Sequence, residues 1–235
     1  MVLEDLLSQL DVDRVTRHVE WLTNETPSRI SGLGQDRKAA EYIVCELRKY
    51  GLEAGIWEFT TYNSQPGEGS LEVISPIKTE VPCIPCAHIA GTPPGGLEAE
   101  LVYVGPGGED DYESVDVKDK FVLAEVSYAP ATPEKARIAW DKGAAGMVLV
   151  NWGTKEEDVI CMRALKAVWG NPTTKTFDEI PQVCAVTISR PWGERLRDLC
   201  LRGKVTVKMN VSSVRKWETL PQPYGFLKGA VEPDK

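Results

Sequence analysis

Two cysteines and a histidine fall within six positions of one another in VPCIPCAHIAG, residues 81–91. Thiolate and imidazole are the ligands of structural zinc, and a CxxC pair is also the core of dithiol redox sites. A closed zinc site takes four ligands, so Cys83, Cys86 and His88 are one short, and no second CxxC supplies the remainder. A redox pair works from the start of a helix, where the dipole lowers a thiol pKa. Pro82 and Pro85 instead favour extended chain. The stretch is therefore expected to be strand-like, with packed thiols; metal binding and redox work are the alternatives.

Other candidates read as decoys. His18, the other of the two histidines, falls among charged residues on the outer side of an apolar helical pattern and reads as a solvated surface group. Glu156 and Glu157 resemble a catalytic carboxylate pair in letters alone and read as a solvated charge run. GPGG at 105–108 follows a strand, as phosphate-cradling loops do, but it leads into Glu109, Asp110 and Asp111, whose charge repels phosphate. It reads as a plain turn. Asn24 and Asn210 each open a glycosylation acceptor pattern, which reads as chance in a chain without a secretion signal. Trp140, Trp152, Trp169 and Trp192 are of a type that anchors interfaces, yet core or half-buried packing is the simpler expectation. No catalytic, cofactor-binding or metal-binding residue is assigned on this chain.

The elements that carry these residues have distinct textures. Leu3, Leu6, Leu7 and Leu10, then Val12, Val15, Val19 and Leu22, repeat at three to four residues, which predicts an amphipathic helix with that stripe inward. ETPSRISGLGQ is a loop. DRKAAEYIVCELRKYG is a second helix with Ala39, Ala40, Ile43, Leu47 and Tyr50 inward and Gly51 as its stop. From LEAGIWEFTTYN the period drops to two, and SQPGEGS reads as a turn into LEVISP, a hairpin. After the boundary GTPPGG, five strands are expected in LEAELVYVG, KFVLAEVSY, GMVLVNW, VCAVTIS and KVTVKMNVS. Two helices interrupt them. TPEKARIAWDKG has Thr132 as its cap, Pro133 at its first position and Gly143 as its stop; RPWGERLRDLCLRG has Pro191 near its start and Gly203 at its end. Residues 153–180 lack a clear period and read as an irregular insertion.

Bulk composition narrows the classes. With 42% hydrophobic and 26% charged residues among 235, the chain belongs with folded globular proteins. The 35 acidic residues outnumber the 27 basic ones, for a net charge of -8. No basic run is present, so a nucleic-acid partner has no electrostatic source. No apolar run approaches the ~18 residues of a membrane span, and the acidic N-terminus is unlike a secretion signal. Six scattered cysteines lack the density of a disulfide scaffold. A cytoplasmic protein with free thiols and no membrane partner is expected.

Two passages resemble a known family. KFVLAEV, then TPEKARIAWDKGAAGMVLVN, then IPQVCAVTISRPWGERLRDLCLRGKVTVKMNV resemble the protease-associated (PA) domain, in which the Gly143-Ala144-Ala145-Gly146 turn stops a helix and packs under a sheet. RISGLGQDRKAAEYIVCELRKYGLEA resembles the opening of co-catalytic zinc exopeptidases of the bacterial leucyl aminopeptidase and glutamate carboxypeptidase type, where a PA domain is inserted between early strands. WETLPQPYGFLKGAVEPDK resembles the strand that such enzymes place ahead of their first metal ligands.

The resemblance implies an α/β (α+β) chain: residues 1–80 a helical leader and hairpin, 81–213 a PA domain with the insertion 153–180, and 214–235 the returning strand of an incomplete exopeptidase domain. For the intact protein it implies two zinc ions, a peptide substrate and hydrolysis by a metal-activated water, with the inserted domain shaping substrate access or forming the subunit contacts of a homo-oligomer. The family's His-x-Asp metal motif is not matched, because His18 is followed by Val19 and Glu20, and His88 by Ile89 and Ala90. No cofactor is expected on this chain, and catalysis is expected outside it. An apolar patch around Leu47, Ile56, Trp57 and Phe59 is expected to be exposed. The alternative is a self-sufficient interaction module of PA type.

Overall fold

The computed structural model of the chain describes residues 7, 8 and 10–231; Leu3 and Leu6 lie outside the described residues. The elements run α1 (Val12–Glu25), α2 (Gln35–Lys49), β1 (Glu53–Ser75), β2 (Thr79–Val81), β3 (Cys83–Pro85), β4 (Leu97–Tyr103), β5 (Phe121–Glu125), α3 (Thr132–Asp141), β6 (Gly146–Val150), β7 (Cys184–Ile188), α4 (Arg190–Arg202) and β8 (Val205–Phe226). They divide into two compact units. One holds the chain up to Asn63 together with that from Trp217 onward, and the other is Ser64–Lys216.

The strands form one mixed sheet in the order β2-β1-β8-β4-β5-β6-β7-β3, so the α/β reading holds. Within the Ser64–Lys216 unit, β4 to β7 are mutually parallel, with Val122 opposite Met147 and Val148 opposite Val186. The edge strand β3 is antiparallel to β7, and β8 is antiparallel to β4. β6 and β7 are buried along their whole length, and β5 from Phe121 to Ala124. Strands covered on both faces read as unbroken apolar runs, which is why these three were legible without alternation. α4 packs closely because Gly193 carries no side chain: a Cβ there would stand 2.1 Å from Val150 Cγ1.

The helix ends need one correction. α3 is capped by Ala131 rather than Thr132, so Thr132 and Pro133 occupy its first two positions. Pro133 lacks the N–H that an early helical position leaves unpaired in any case. Gly143 sits at φ +80°, where it stops the helix as expected. α4 has Pro191 in its first turn and ends at Gly203. Residues 153–180 hold no regular element beyond a short 3-10 turn at Phe177–Glu179.

Two readings of the strands are overturned. SQPGEGS is not a turn: β1 runs unbroken through it for 23 residues. Its glycines serve close approach instead, since a Cβ on Gly67 would meet Ser212 Oγ at 2.1 Å and one on Gly69 would meet Pro85 Cγ at 2.5 Å. Likewise KVTVKMNVS and WETLPQPYGF form the single strand β8, 22 residues long.

In the unit that begins the chain, α1 is capped by the Asp11 carboxylate, which accepts from Arg14 N at 2.9 Å. Its face is the reverse of that expected. Val12, Val15 and Val19 are 72%, 56% and 55% exposed, while Trp21 stacks on Tyr42 of α2 with ring centroids 3.7 Å apart. α2 buries Ala39, Ala40 and Val44; Tyr50, expected inward, is exposed. Of the four residues expected to form an exposed patch, only Trp57 is largely exposed, and Leu47, Ile56 and Phe59 are half-buried.

Candidate functional site

β3 lies along β7 with Cys83 opposite Ile188 and Pro85 opposite Val186, and Cys86 N continues the pairing by donating to Ala185 O at 3.1 Å. The prolines thus hold the segment extended. Successive side chains of such a chain alternate in direction, so residues three apart point to opposite faces. Cys86 is fully buried, with Sγ 3.3 Å from Thr187 Oγ1. Burial pushes both the Cys83 and Cys86 thiols up to about 11. Since the thiolate is both the nucleophile and the metal ligand, neither is primed for redox or zinc chemistry near neutral pH.

His88 takes a left-handed backbone, φ +62°, and its N–H donates to Ser64 Oγ at 2.8 Å. Burial, reinforced by the charges of Lys166 and Arg215, lowers its pKa to about 4. Its imidazole is therefore neutral at physiological pH. Among the described residues, no three His, Cys, Asp or Glu side chains gather into a metal-binding group.

His18 is not the solvated surface group expected. It faces α2, where Nδ1 lies 2.7 Å from Tyr42 Oη and Nε2 2.9 Å from Tyr50 Oη. These contacts, with the Trp21 stack, explain why α1 turns its aromatic side to α2 and its valines outward. An open cleft of about 560 Å³ runs beside them, lined by residues that include Arg14, Glu20, Asn24 and Glu46.

Because β4 to β7 are parallel, their carboxyl ends share one edge. GPGG follows β4 and is a turn: Gly107 N donates to Val104 O at 3.1 Å and Gly108 N to Asp111 Oδ2 at 2.7 Å, so these amides are already taken. Beside it lies a feature that sequence reading missed. Lys135 of α3 is fully buried, donating from Nζ to Pro106 O and, at 2.8 Å, to Ser127 Oγ. Burial lowers its pKa. Its position offered a signal, because Lys135 shares the helical face of Ile138 and Ala139.

A second network at this edge joins Tyr103, Glu125 and Arg190. Tyr103 Oη donates to Glu125 Oε1 at 2.6 Å, and Arg190 Nη1 meets Glu125 Oε2 at 2.6 Å. Burial works against the Glu125 carboxylate, but these two donors outweigh it and hold its pKa below the ordinary range. Tyr103, buried against that carboxylate, is pushed up to about 12. The groups at this edge are matched to one another, which is the arrangement of a structural network.

The remaining candidates lie apart from any such cluster. Glu156 and Glu157 are exposed, as are Asn24 and Asn210. Trp140 and Trp192 pack against the core. Trp152 is half exposed, with its ring 5.3 Å from that of Tyr128, and Trp169 is 94% exposed, against the expectation of packing.

The PA domain family model matches residues 97–196. No curated protein matches the chain. Among solved structures, an aminopeptidase from Aneurinibacillus sp. strain AM-1 aligns with a TM-score of 0.66 at 22% identity, over 95% of this chain and 50% of its own. BSAP, a zinc aminopeptidase from Bacillus subtilis, gives 0.64 at 20%, over 90% of this chain and 46% of its own. A peptidase M28 precursor from Shewanella amazonensis SB2B gives 0.72 at 20%, over 91% and 50%. The chain spans about half the length of each, and at these identities the likeness is one of fold. The matched residues hold the whole parallel sheet β4 to β7, with α3 and the first half of α4. Residues 97–196 are thus a PA domain, set in a chain whose fold resembles about half the length of these peptidases.

Proposed function

We propose that this chain is the PA-domain-bearing, non-catalytic portion of a zinc-dependent aminopeptidase, in which the PA domain shapes substrate access to a catalytic centre built elsewhere in the protein. One observation carries the reading. A PA domain sits within a fold that covers 90–95% of this chain but only 46–50% of three peptidases. The residues at hand do not fit a zinc pair. His18 is engaged by two tyrosines, His88 is held by the PA-bearing unit, and no carboxylate or thiol group joins either in a ligand cluster among the described residues.

The test compares this polypeptide with the product of the whole reading frame, assayed on aminoacyl p-nitroanilides with added zinc. Turnover by the longer product, stopped by a chelator, together with none by the 235-residue chain, is the expected outcome. Chelator-sensitive cleavage by the chain alone would overturn the reading. Inactivity of the whole product would do so too, and would favour an interaction module of PA type.

A further inference from the structure

Tyr128 is 95% exposed and stands against Trp152, itself half exposed, with ring centroids 5.3 Å apart. Both rings are held from beneath. Trp152 donates from Nε1 to Val126 O, which turns its polar edge inward, and Val126 N donates to Val150 O at 2.9 Å. Ser127, next to Tyr128, accepts from the fully buried Lys135 Nζ at 2.8 Å and donates to Ala129 O at 3.0 Å. The backbone on both sides of Tyr128 is thereby fixed. Tyr128 follows β5 and Trp152 follows β6, so the pair stands at the carboxyl edge of two adjacent parallel strands, where open α/β sheets receive ligands.

The unmatched charge beside the pair has one sign. Glu157 folds back on the residue that follows Trp152: its Oε2 accepts from Thr154 N at 3.1 Å and lies 3.1 Å from where a Cβ on Gly153 would stand. Glu156 and Asp158 flank it, and all three are exposed. The neighbouring cations are already answered, Arg190 by Glu125 and Glu194, and Lys155 by Glu194. Among the described residues, Glu156, Glu157 and Asp158 form no ion pair. Exposed carboxylates alone would be an ordinary solvated run. A fixed aromatic pair kept in water beside them is a different matter, because ring faces attract cations.

We propose that Tyr128 and Trp152 form a docking surface for a cationic side chain, lysine or arginine, on a polypeptide partner, with Glu157 and its neighbours supplying the countercharge. A guanidinium or ammonium over a ring face is drawn by the π electrons, most strongly by indole. The carboxylates add attraction at longer range. A neutral apolar partner would cover the rings and leave that charge unanswered, and an anionic one would be repelled. The inference stands apart from the aminopeptidase reading, because it needs neither zinc nor a catalytic centre.

Indole N–H resonances give a direct readout, and Trp152→Phe identifies the Trp152 signal by its loss. End-blocked pentapeptides with glycine at four positions and arginine, lysine, glutamine or glutamate at the centre are titrated into the protein at constant ionic strength. The arginine and lysine peptides should move the Trp152 signal along a saturable curve with a Kd of about 1–10 mM. The glutamine peptide should bind about threefold more weakly or less, and the glutamate peptide should leave the signal in place. Tyr128→Ala should weaken the arginine peptide about two- to fivefold, and Tyr128→Phe, which keeps the ring, should preserve it. Glu156→Gln combined with Glu157→Gln should narrow the gap between the arginine and glutamine peptides. The other indole signals, unmoved, verify that each variant is folded. The proposal fails if no peptide moves the Trp152 signal, if the glutamine peptide binds the parent as tightly as the arginine one, or if Tyr128→Ala binds like the parent.

Discussion

At the scale of single residues, burial decides what the chemistry-bearing side chains do. The unfolded chain protonates His88 near the ordinary 6.5, whereas the native state holds out until about 4. Below pH 6.5 the unfolded state thus binds the extra proton, and native stability falls through the window down to pH 4 while remaining flat above it. Partial exposure reduces this loss to about 1–2 kcal/mol. His88→Asn removes the proton site and keeps a residue that tolerates positive φ. Urea midpoints measured in chloride between pH 4 and 7 should fall for the parent and stay nearly level for the variant; equal acid slopes would refute the assignment. Lys135 makes the complementary case. Lys135→Met strands Pro106 O and Ser127 Oγ and is expected to cost about 1–3 kcal/mol. Relief of the buried charge opposes that loss, so a variant as stable as the parent in denaturant would show that desolvation outweighs the two bonds.

At the scale of elements, local signals succeeded where structure is set locally and failed where a distant partner sets it. Gly69 shows the difference. As part of a turn it would tolerate alanine, but in β1 a Cβ would collide with Pro85. Gly69→Ala should cost about 1–3 kcal/mol by overpacking, whereas Gly203→Ala, with nothing within 4 Å and an extended φ of 166°, should change stability by under about 0.5 kcal/mol. Equal thermal midpoints for the two variants would restore the turn. β5, β6 and β7 were legible because double-sided burial writes itself as contiguous apolar residues, and α3 and α4 because proline and glycine punctuate them. The path of β1 was not, because the partner that explains Gly67 is Ser212, far along the chain in β8. The valine stripe of α1 gave the helix its correct period and the wrong face, since the Trp21–Tyr42 stack sets which side turns to α2. The thiols of VPCIPCAHIAG were read as packed, and so they are.

At the scale of the molecule, the two units differ in what holds them. The Ser64–Lys216 unit buries Phe121, Leu123, Met147, Leu149, Ile188 and Leu196 almost completely, in a sheet with helical cover. The other unit buries chiefly small side chains, Ala39, Ala40, Val44 and Ala54, with Tyr62 and Leu220, and leaves Val12, Val15, Val19, Trp57 and Phe226 more than half exposed. Since stabilisation scales with apolar area removed from water at about 25 cal/mol per Å², the units should open at different free energies even though β1 and β8 run through both. Hydrogen exchange tests this directly. Amides of Phe121–Glu125, Gly146–Val150 and Cys184–Ile188 should exchange only through global unfolding, while those of α1 and α2 should exchange through a smaller local opening and show weaker dependence on denaturant. Helix amides as slow as those of β6, with the same denaturant slope, would mean that the chain unfolds as one body. In that case the exposed valines and aromatics would cost the first unit nothing, and the unequal cores would have no thermodynamic meaning.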